Sequence, residues 1–396
     1  MNIIYNIGIY LYILGAYIYS IFNNKANLLI KGRKDIFQKL LKNIQGEDNV
    51  IWFHCASLGE FEQAQPIIKA YKIKHPEDKI ILTFFSPSGY EIKKNCSIVN
   101  WVYYLPFDTR YNAKKFVKII NPRKVFFIKN EFWFNYMDVI KQQNIPFFSV
   151  SAIFREEHMF FKYTWCANQL KNISHFFVQD RKSKNLLSSI GMNNATIIND
   201  TRFDTVIENR KSAEIYPLIK KFCSEKTTII FGSIYKEDEK LLIKYMDRHL
   251  DYNYIIVPHE INYSSNIRMK TNGTLFTNLT DKNVNNNNIL IINKMGILKS
   301  IYKYSNIAYI GGGFSNGIHN VLEAIVYGVP VIFGPNYHKS LEAQELINLN
   351  IARSITNLEE MNKAIDVLKN INTDCAQEYI KEKSGGSKKI IGCKFI

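Results

Sequence analysis

The sequence predicts an α/β protein made of two doubly wound parallel-sheet domains, preceded by an apolar amino-terminal helix. Three observations predict this architecture. The 396 residues exceed what one ordinary hydrophobic core holds. From residue 49 onward, short apolar runs alternate with helical patterns, which is typical of parallel sheets covered on both faces. The first 22 residues carry no charged side chain.

The amino-terminal segment, residues 1–22, approaches the length that a bilayer span needs. Its tyrosines and two asparagines suit hydrocarbon poorly, so an anchor lying in the plane of the membrane stays open beside a spanning one. A third possibility is a buried first helix of the fold. No basic start or small-residue cleavage site indicates a signal peptide. The cations that follow would hold the next domain on the cytoplasmic face: Lys25, Lys31, Arg33, Lys34, Lys39 and Lys42.

Alternating strands and helices predict a first domain over residues 23–205 and a second over 206–375. The first-domain strands are predicted at 50–55, 79–85, 99–105, 124–128, 146–151 and 175–179, with helices at 60–71, 112–120 and 132–141. The second-domain strands are predicted at 227–231, 254–257, 289–292, 306–310 and 329–333, with helices at 236–249, 297–304 and 320–327. Residues 376–396 form a carboxyl-terminal helix and tail that could return to the first domain. We expect the ligand cleft between the domains, at the carboxyl ends of the strands.

Composition narrows the class of protein. A hydrophobic fraction of 46% with 22% charged residues indicates a globular chain. The net charge of +16 suits nucleic acid, an anionic membrane surface or negatively charged substrates. Nucleic acid is disfavoured because no RNA-binding signature or zinc-finger spacing accompanies the lysines. The six cysteines are scattered, which favours a reduced, cytosol-facing protein, and no metal-ligand spacing predicts a catalytic metal.

The most informative stretch is the glycine-rich run Gly311–Asn320, which follows a predicted strand and is expected to open a helix ending near Gly328. Glycines let backbone N–H groups approach a ligand, and a helix start supplies unpaired donors, so a phosphate or carboxylate is the expected guest. Asn320 and Glu323 would line one side of that pocket. An ordinary glycine-rich turn is the alternative, but the His-Asn-x-x-Glu pattern favours binding.

Two carboxylates follow predicted strands of the first domain. Glu60 comes after residues 50–55 at a helix start, where an ionised carboxylate is a reasonable general base for an alcohol. A helix-start glutamate that only stabilises the helix dipole is the more common case on spacing alone. Glu131 follows residues 124–128 and is expected to face the same cleft, with Trp133 packing beneath it. Ser86–Gly89 is a helix-start turn whose default role is capping.

The second-domain candidates are weaker. Gly232 and Ser233 follow a predicted strand and are plausible phosphate contacts, with helix capping an equal alternative. The pairs Pro258–His259 and Met295–Gly296 come after other predicted strands. Arg202 lies at the junction of the two halves, where a cation could meet a sugar acid or a phosphate.

Taken in order, these motifs resemble the membrane-associated 3-deoxy-D-manno-oct-2-ulosonic acid (Kdo) transferases of lipopolysaccharide assembly. The resemblance is carried by residues 57–60, 86–89, 104–108, 130–133, 200–204, 232–233, 295–296 and 311–335. It implies a GT-B glycosyltransferase with two Rossmann-like domains facing a central cleft. It also implies CMP-Kdo as donor, a lipid A precursor of the lipid IVA type as acceptor, no cofactor or metal, and the cytoplasmic face of the bacterial inner membrane.

The resemblance also implies roles for individual residues. Glu60 is then the catalytic base, which deprotonates an acceptor hydroxyl as it displaces CMP with inversion, and Glu131 is the Glu of a Glu-x-Trp element. The leaving phosphate is expected at the helix start after Gly313, with Ser233 and Arg202. The CMP-binding segment corresponds to Gly312, Gly313, His319, Asn320 and Glu323.

The sequence departs from the family pattern in a few places and leaves rival functions open. Lys129 stands where many relatives carry Glu, Phe134 where they carry Pro, and Ala324 where Pro is usual. These departures affect details of acceptor binding. The rivals are a GT-B transferase that uses a UDP-sugar and a lipid-linked acceptor, a nucleotide-sugar epimerase, and a non-catalytic, membrane-tethered nucleotide-binding protein.

Overall fold

The computed structural model describes residues 2–44, 46 and 49–396. The chain divides into two compact units. The first domain comprises Met1–Thr205 with Ser384–Ile396, and the second comprises Val206–Lys383.

The first domain contains a seven-stranded parallel sheet in the order β3-β2-β1-β4-β5-β6-β7. The chain runs outward from β1 to one edge and then from β4 to the other, so the strand order reverses between β1 and β4. In sheets of this kind, ligands bind outside the carboxyl ends of the strands at that reversal. The strands are β1 (Val50–Cys55), β2 (Lys79–Phe84), β3 (Trp101–Tyr104), β4 (Lys124–Ile128), β5 (Phe147–Ala152), β6 (His175–Val178) and β7 (Ala195–Ile197).

The second domain contains another seven-stranded parallel sheet, in the order β10-β11-β9-β8-β12-β13-β14. Its strand order reverses between β8 and β12. The strands are β8 (Thr228–Ile234), β9 (Asn253–Pro258), β10 (Thr274–Leu275), β11 (Ile289–Ile291), β12 (Ile307–Ile310), β13 (Val331–Phe333) and β14 (Ala352–Ser354). The strands of both sheets are mostly apolar runs, since a strand that is covered on both faces exposes no side to water.

The helices of the first domain include the amino-terminal helix and a carboxyl-terminal one that packs against α4. They are α1 (Asn2–Tyr19), α2 (Asn24–Lys31), α3 (Ile36–Ile44), α4 (Leu58–Lys74), α5 (Pro87–Lys93), α6 (Arg110–Ile120), α7 (Phe134–Gln142), α8 (Met159–Lys162), α9 (Thr164–Leu170), α10 (Arg181–Ser189), α11 (Arg202–Lys211) and α20 (Gly386–Ile391). The division between the domains falls inside α11.

The helices of the second domain follow its strands in the same alternating manner. They are α12 (Pro217–Phe222), α13 (Lys236–Arg248), α14 (Ser264–Thr271), α15 (Leu298–Ile301), α16 (Leu322–Ile325), α17 (Leu341–Asn348), α18 (Leu358–Leu368) and α19 (Asp374–Lys383). Short 3-10 helices cover Ile261–Tyr263, Phe276–Asn278 and Tyr302–Tyr304.

The two ends of the chain differ in detail from the sequence predictions. Most of the predicted anchor is the helix α1, while Met1 lies outside the described residues. Within the described part of the chain, no helix combines the length and the apolar character that a membrane crossing needs. The tail predicted as one unit over residues 376–396 is divided, because α19 belongs to the second domain and Ser384–Ile396 to the first.

One predicted helix is much shorter than expected. The pattern indicated a helix over residues 320–327 opened by the glycine-rich run, but α16 covers only Leu322–Ile325. Residues 311–320 form a loop of turns instead. The loop turns because Gly312 has φ +91° and Gly317 has φ +132°, and Gly328, with φ +78°, follows the short helix; none of these values continues a right-handed helix.

Candidate active site

Glu60 lies in the first turn of α4, directly after β1. The backbone N–H of Ser57 donates to Glu60 Oε2 at 3.0 Å, and the Ser57 hydroxyl donates to the same oxygen. The bond from the Ser57 N–H belongs to a capping box, so Glu60 also stabilises the start of α4, in line with the helix-stabilising alternative that the sequence left open. The two bonds from Ser57 occupy one oxygen only. Oε1 lies 3.9 Å from Lys129 Nζ and is the atom that a substrate proton could reach.

Lys129 supplies the cation beside Glu60 and follows β4, the strand next to β1. Its backbone has φ +66°, which is uncommon for a lysine, and its N–H donates to the Val150 carbonyl at 2.6 Å. The next residue fixes the turn, since Asn130 Nδ2 donates to the Ile153 carbonyl and Asn130 Oδ1 accepts from the Ile153 N–H. A partly exposed ammonium group is thereby held at the point where the strand order reverses.

Glu131 is held by an indole and lies beside a buried imidazole. Trp133 Nε1 donates to Glu131 Oε2 at 2.9 Å and lies 3.3 Å from His54 Nε2. His54 Nε2 is in turn 3.6 Å from Glu131 Oε2. Trp133 packs as predicted, because its ring stacks on Phe85 at 4.7 Å, but it also orients the carboxylate.

His54 is a site residue that sequence reasoning missed. It is fully buried in β1, and its Nδ1 lies 3.2 Å from the carbonyl oxygen of Thr83. Nδ1 is also 2.9 Å from the Thr83 hydroxyl oxygen, and Nε2 accepts from Trp133 Nε1. The available signal was a polar residue inside an otherwise apolar strand that precedes Glu60.

The predicted capping role of Ser86–Gly89 is confirmed. Ser86 is the N-cap of α5, and its hydroxyl oxygen accepts from the Ser88 N–H at 3.3 Å. Gly89 allows close packing, because a Cβ there would lie 3.0 Å from the backbone carbon of Ser57. This turn therefore supports the Glu60 turn from the side of β2.

Arg202 is already engaged by a carboxylate in the first domain. Its Nε and Nη2 lie 3.0 Å and 2.8 Å from Asp200 Oδ2, which also accepts from Gln63 Nε2. Burial acts to raise the pKa of the Asp200 carboxyl, but the adjacent guanidinium holds that pKa below its usual value. A phosphate at Arg202 would therefore have to compete with Asp200.

In the second domain, the glycine-rich loop differs from the predicted helix start. The helix after Gly313 begins only at Leu322, so it does not start directly on the glycines, and the phosphate site expected there stays a prediction. Loop donors are used internally, because Gly317 N–H donates to the Gly312 carbonyl and His319 N–H to the Gly311 carbonyl, each at 3.1 Å. Close packing demands Gly313, since a Cβ there would lie 2.5 Å from the Gly334 nitrogen.

A buried carboxylate, Asp238, organises this loop. Its Oδ2 accepts from the N–H groups of Tyr235 at 2.8 Å and Gly312 at 3.1 Å, and its Oδ1 accepts from the Tyr309 hydroxyl at 2.6 Å. It therefore ties the turn after β8 to the turn after β12. The sequence did not single out Asp238. This residue lies in a run of acidic residues at a helix start, where such residues commonly do no more than stabilise the helix dipole.

Three stacked rings lie beside the loop and join two of the predicted motifs. His259 stacks on Tyr235 with centroids 4.5 Å apart and on His319 at 4.8 Å. His319 Nε2 is buried and makes no hydrogen bond within the described residues. Burial and the neighbouring His259 lower the pKa of His319 to about 4. An unpartnered buried nitrogen is costly, which makes His319 Nε2 a candidate contact for a ligand.

The remaining predicted residues lie at or just beyond the carboxyl ends of neighbouring strands. Gly232 and Ser233 directly precede Ile234, the last residue of β8, and Pro258 ends β9. Asn320 Oδ1 accepts from the Leu322 N–H at 3.2 Å. Gly232 is required by packing, because a Cβ there would overlap the Tyr302 hydroxyl. The others are exposed Met295, the adjoining turn residue Gly296 with φ +83°, and Glu323 in α16.

Comparisons with known proteins identify relatives of the chain. The family described as 3-deoxy-D-manno-octulosonic-acid transferase (kdotransferase) matches residues 31–205. A 3-deoxy-D-manno-octulosonic acid transferase of Aquifex aeolicus is 26% identical over 78% of this chain and 81% of its own length. One of Chlamydia trachomatis serovar A is 24% identical over 86% and 82%. A bifunctional glycosyltransferase/methyltransferase of Fusobacterium nucleatum is 26% identical over 82% of this chain, which spans about half (53%) of that protein.

Solved structures resemble the whole fold at low identity. A UDP-N-acetylglucosamine 2-epimerase structure from Listeria monocytogenes has a TM-score of 0.60 at 13% identity, covering 87% of this chain and 95% of that one. MurG of Acinetobacter baumannii has a TM-score of 0.55 at 11% identity, covering 87% and 98%. These likenesses show the fold of two Rossmann-like domains, as predicted. The placing of those domains about a cleft stays a prediction.

Proposed function

Because this chain is a glycosyltransferase related to the 3-deoxy-D-manno-octulosonic acid transferases, we propose that it transfers Kdo from CMP-Kdo to a lipid A precursor of the lipid IVA type. The reaction would belong to lipopolysaccharide biosynthesis, which is where the family resemblance points. The observation that carries the proposal is the pair of carboxylates, Glu60 and Glu131, at the reversal of strand order in the first sheet.

The proposed reaction is an inverting displacement. Glu60 Oε1 takes the proton of an acceptor hydroxyl, whose oxygen forms a bond to the anomeric carbon of Kdo. The bond between that carbon and the phosphate oxygen breaks, and CMP leaves with the electron pair. Support comes from the capping bonds, which hold Oε2 and leave Oε1 as the acceptor. Glu131, oriented by Trp133, would accept a hydrogen bond from another acceptor hydroxyl.

The second domain would bind the donor. A CMP phosphate beside the ring stack would give His319 Nε2 the partner that the described residues do not provide. Glu323 would accept hydrogen bonds from the ribose. Backbone donors, imidazole and cations would stabilise the leaving phosphate, so we propose that no metal takes part.

The acceptor is a lipid, so we propose that the protein works on the cytoplasmic face of the bacterial inner membrane. Large apolar side chains of α1 are exposed, and basic residues follow the helix. An apolar helix face with cations nearby suits binding in the plane of an anionic membrane surface. The exposed apolar residues of α1 include Ile3, Ile4, Ile7, Leu11, Leu14 and Ile18.

The test supplies CMP-Kdo and lipid IVA to the purified protein. Glu60→Gln should lower kcat by about 100-fold or more, because it removes the general base. Glu77→Gln is the matched control, since Glu77 is an exposed residue of the same domain. It lies just before β2, at the amino-terminal end of that strand, whereas Glu60 follows the carboxyl end of β1. Undiminished transfer by Glu60→Gln would refute the mechanism. Transfer from a UDP-sugar but not from CMP-Kdo would establish the rival donor class.

A further inference from the structure

The helix that follows Glu131 has an unusual cap. The first N–H groups of any helix have no acceptors inside it, and the N-cap residue of α7, Trp133, provides no side-chain acceptor. Three successive N–H groups are satisfied from distant parts of the chain instead. Phe134 N–H donates to the Tyr5 hydroxyl at 3.3 Å, and the N–H groups of Asn135 and Tyr136 donate to the Asp108 carboxylate at 3.2 Å and 3.0 Å.

The amino-terminal helix α1 is part of this cap. The Tyr5 hydroxyl donates to Asp108 Oδ2 at 2.5 Å, and the Tyr5 ring stacks on Phe134 with centroids 4.7 Å apart. Asn135 Nδ2 donates to Asn6 Oδ1 at 2.9 Å and to the Asp108 carbonyl at 2.6 Å. Two adjacent side chains of α1 therefore bond to the first turn of α7 or to its capping carboxylate.

The cap is continuous with the candidate acceptor site. Trp133, the residue just before α7, donates to Glu131 Oε2. Its ring stacks on Phe85, and the Phe85 centroid is 6.1 Å from that of Tyr12, which lies about two helical turns beyond Tyr5 in α1. α1 thus reaches the Glu131 turn through the hydrogen-bonded cap and through a row of aromatic rings.

We propose that Tyr5 and Asn6 are positioning residues, which set the place of the Glu131 turn through the first turn of α7. The other face of α1 carries exposed apolar side chains. The role of Glu131 in acceptor binding rests on the proposed function, whereas the link between α1 and α7 does not. The link is therefore tested first, without any reaction.

Hydrogen–deuterium exchange measures the link directly. Tyr5→Phe keeps the ring stack and removes the hydroxyl that accepts from Phe134 N–H and donates to Asp108. The amides of Phe134, Asn135 and Tyr136 should therefore exchange about two- to tenfold faster. Tyr17→Phe is the control, because Tyr17 is an exposed tyrosine of the same helix. Equal protection of these amides in the two variants would overturn the inference.

Kinetics test the consequence for the site. Tyr5→Phe should raise KM for the lipid acceptor about two- to tenfold and leave KM for CMP-Kdo unchanged. A purely structural defect would lower the active fraction, and therefore kcat, with both KM values unchanged, and that result would refute the positioning role. If the wild-type protein transfers no Kdo, the proposed function fails, while the exchange experiment still decides whether α1 positions the turn.

Discussion

Lowering the pH from 7 to 5 should destabilise the second domain through one residue, His319. Its pKa is about 4 in the folded protein against an ordinary value of 6.5, because burial and His259 disfavour the charged ring. The unfolded chain binds the proton more readily, so the stabilisation is complete above pH 6.5 and is lost as the pH falls toward 4. The full loss is about 3 kcal/mol, of which about 2 kcal/mol appears by pH 5.

The assay is urea denaturation of the wild-type protein and His319→Gln at pH 7 and pH 5. The comparison between variants is needed because other groups titrate in this range. Burial raises the pKa of Asp108 to about 6, so this residue acts in the opposite sense and adds stability as the pH falls. His319→Gln keeps a polar side chain without the titration, and it should lose about 2 kcal/mol less than the wild type between the two pH values.

The probe must report the second domain. The four tryptophans, Trp52, Trp101, Trp133 and Trp165, are all in the first domain, so their fluorescence serves as the internal control. Exchange of the β12 amides with increasing urea reports the second domain. An equal loss of stability in both proteins between pH 7 and pH 5 would refute the reasoning, because His319 would then titrate alike in the folded and unfolded states.

Two further predictions concern the second domain and the proposed chemistry. Asp238→Asn should destabilise that domain by about 2 to 4 kcal/mol, because an amide nitrogen would face buried N–H or O–H donors, and it should weaken CMP binding measured by calorimetry. Glu237→Gln, an exposed neighbour, should change neither, and an unaffected Asp238→Asn would contradict the role of that carboxylate. Treatment with EDTA should leave Kdo transfer unchanged; activity lost with EDTA and restored by a divalent cation would show that a metal takes part.

Much of the first-domain site could be predicted because its residues follow strands. Glu60 and Glu131 come directly after apolar runs, and the alternating pattern indicates a parallel sheet in which such positions share an edge. The glycine-rich loop was harder. The same residues fit a helix start or a chain of turns. The loop forms turns because Gly312 and Gly317 have positive φ values and because Gly313 packs closely against the backbone of Gly334.

The sequence by itself determined that the chain has two Rossmann-like domains, which family it resembles, and which two carboxylates follow the central strands, because these depend on local periodicity and the order of motifs. Only the tertiary structure decided the burial and pairing of His54, Asp238 and Tyr5. Their partners lie far along the chain, as in the bonds from Gly312 to Asp238 and from Tyr5 to Asp108. Such contacts arise where separate turns pack together, and no local pattern encodes them.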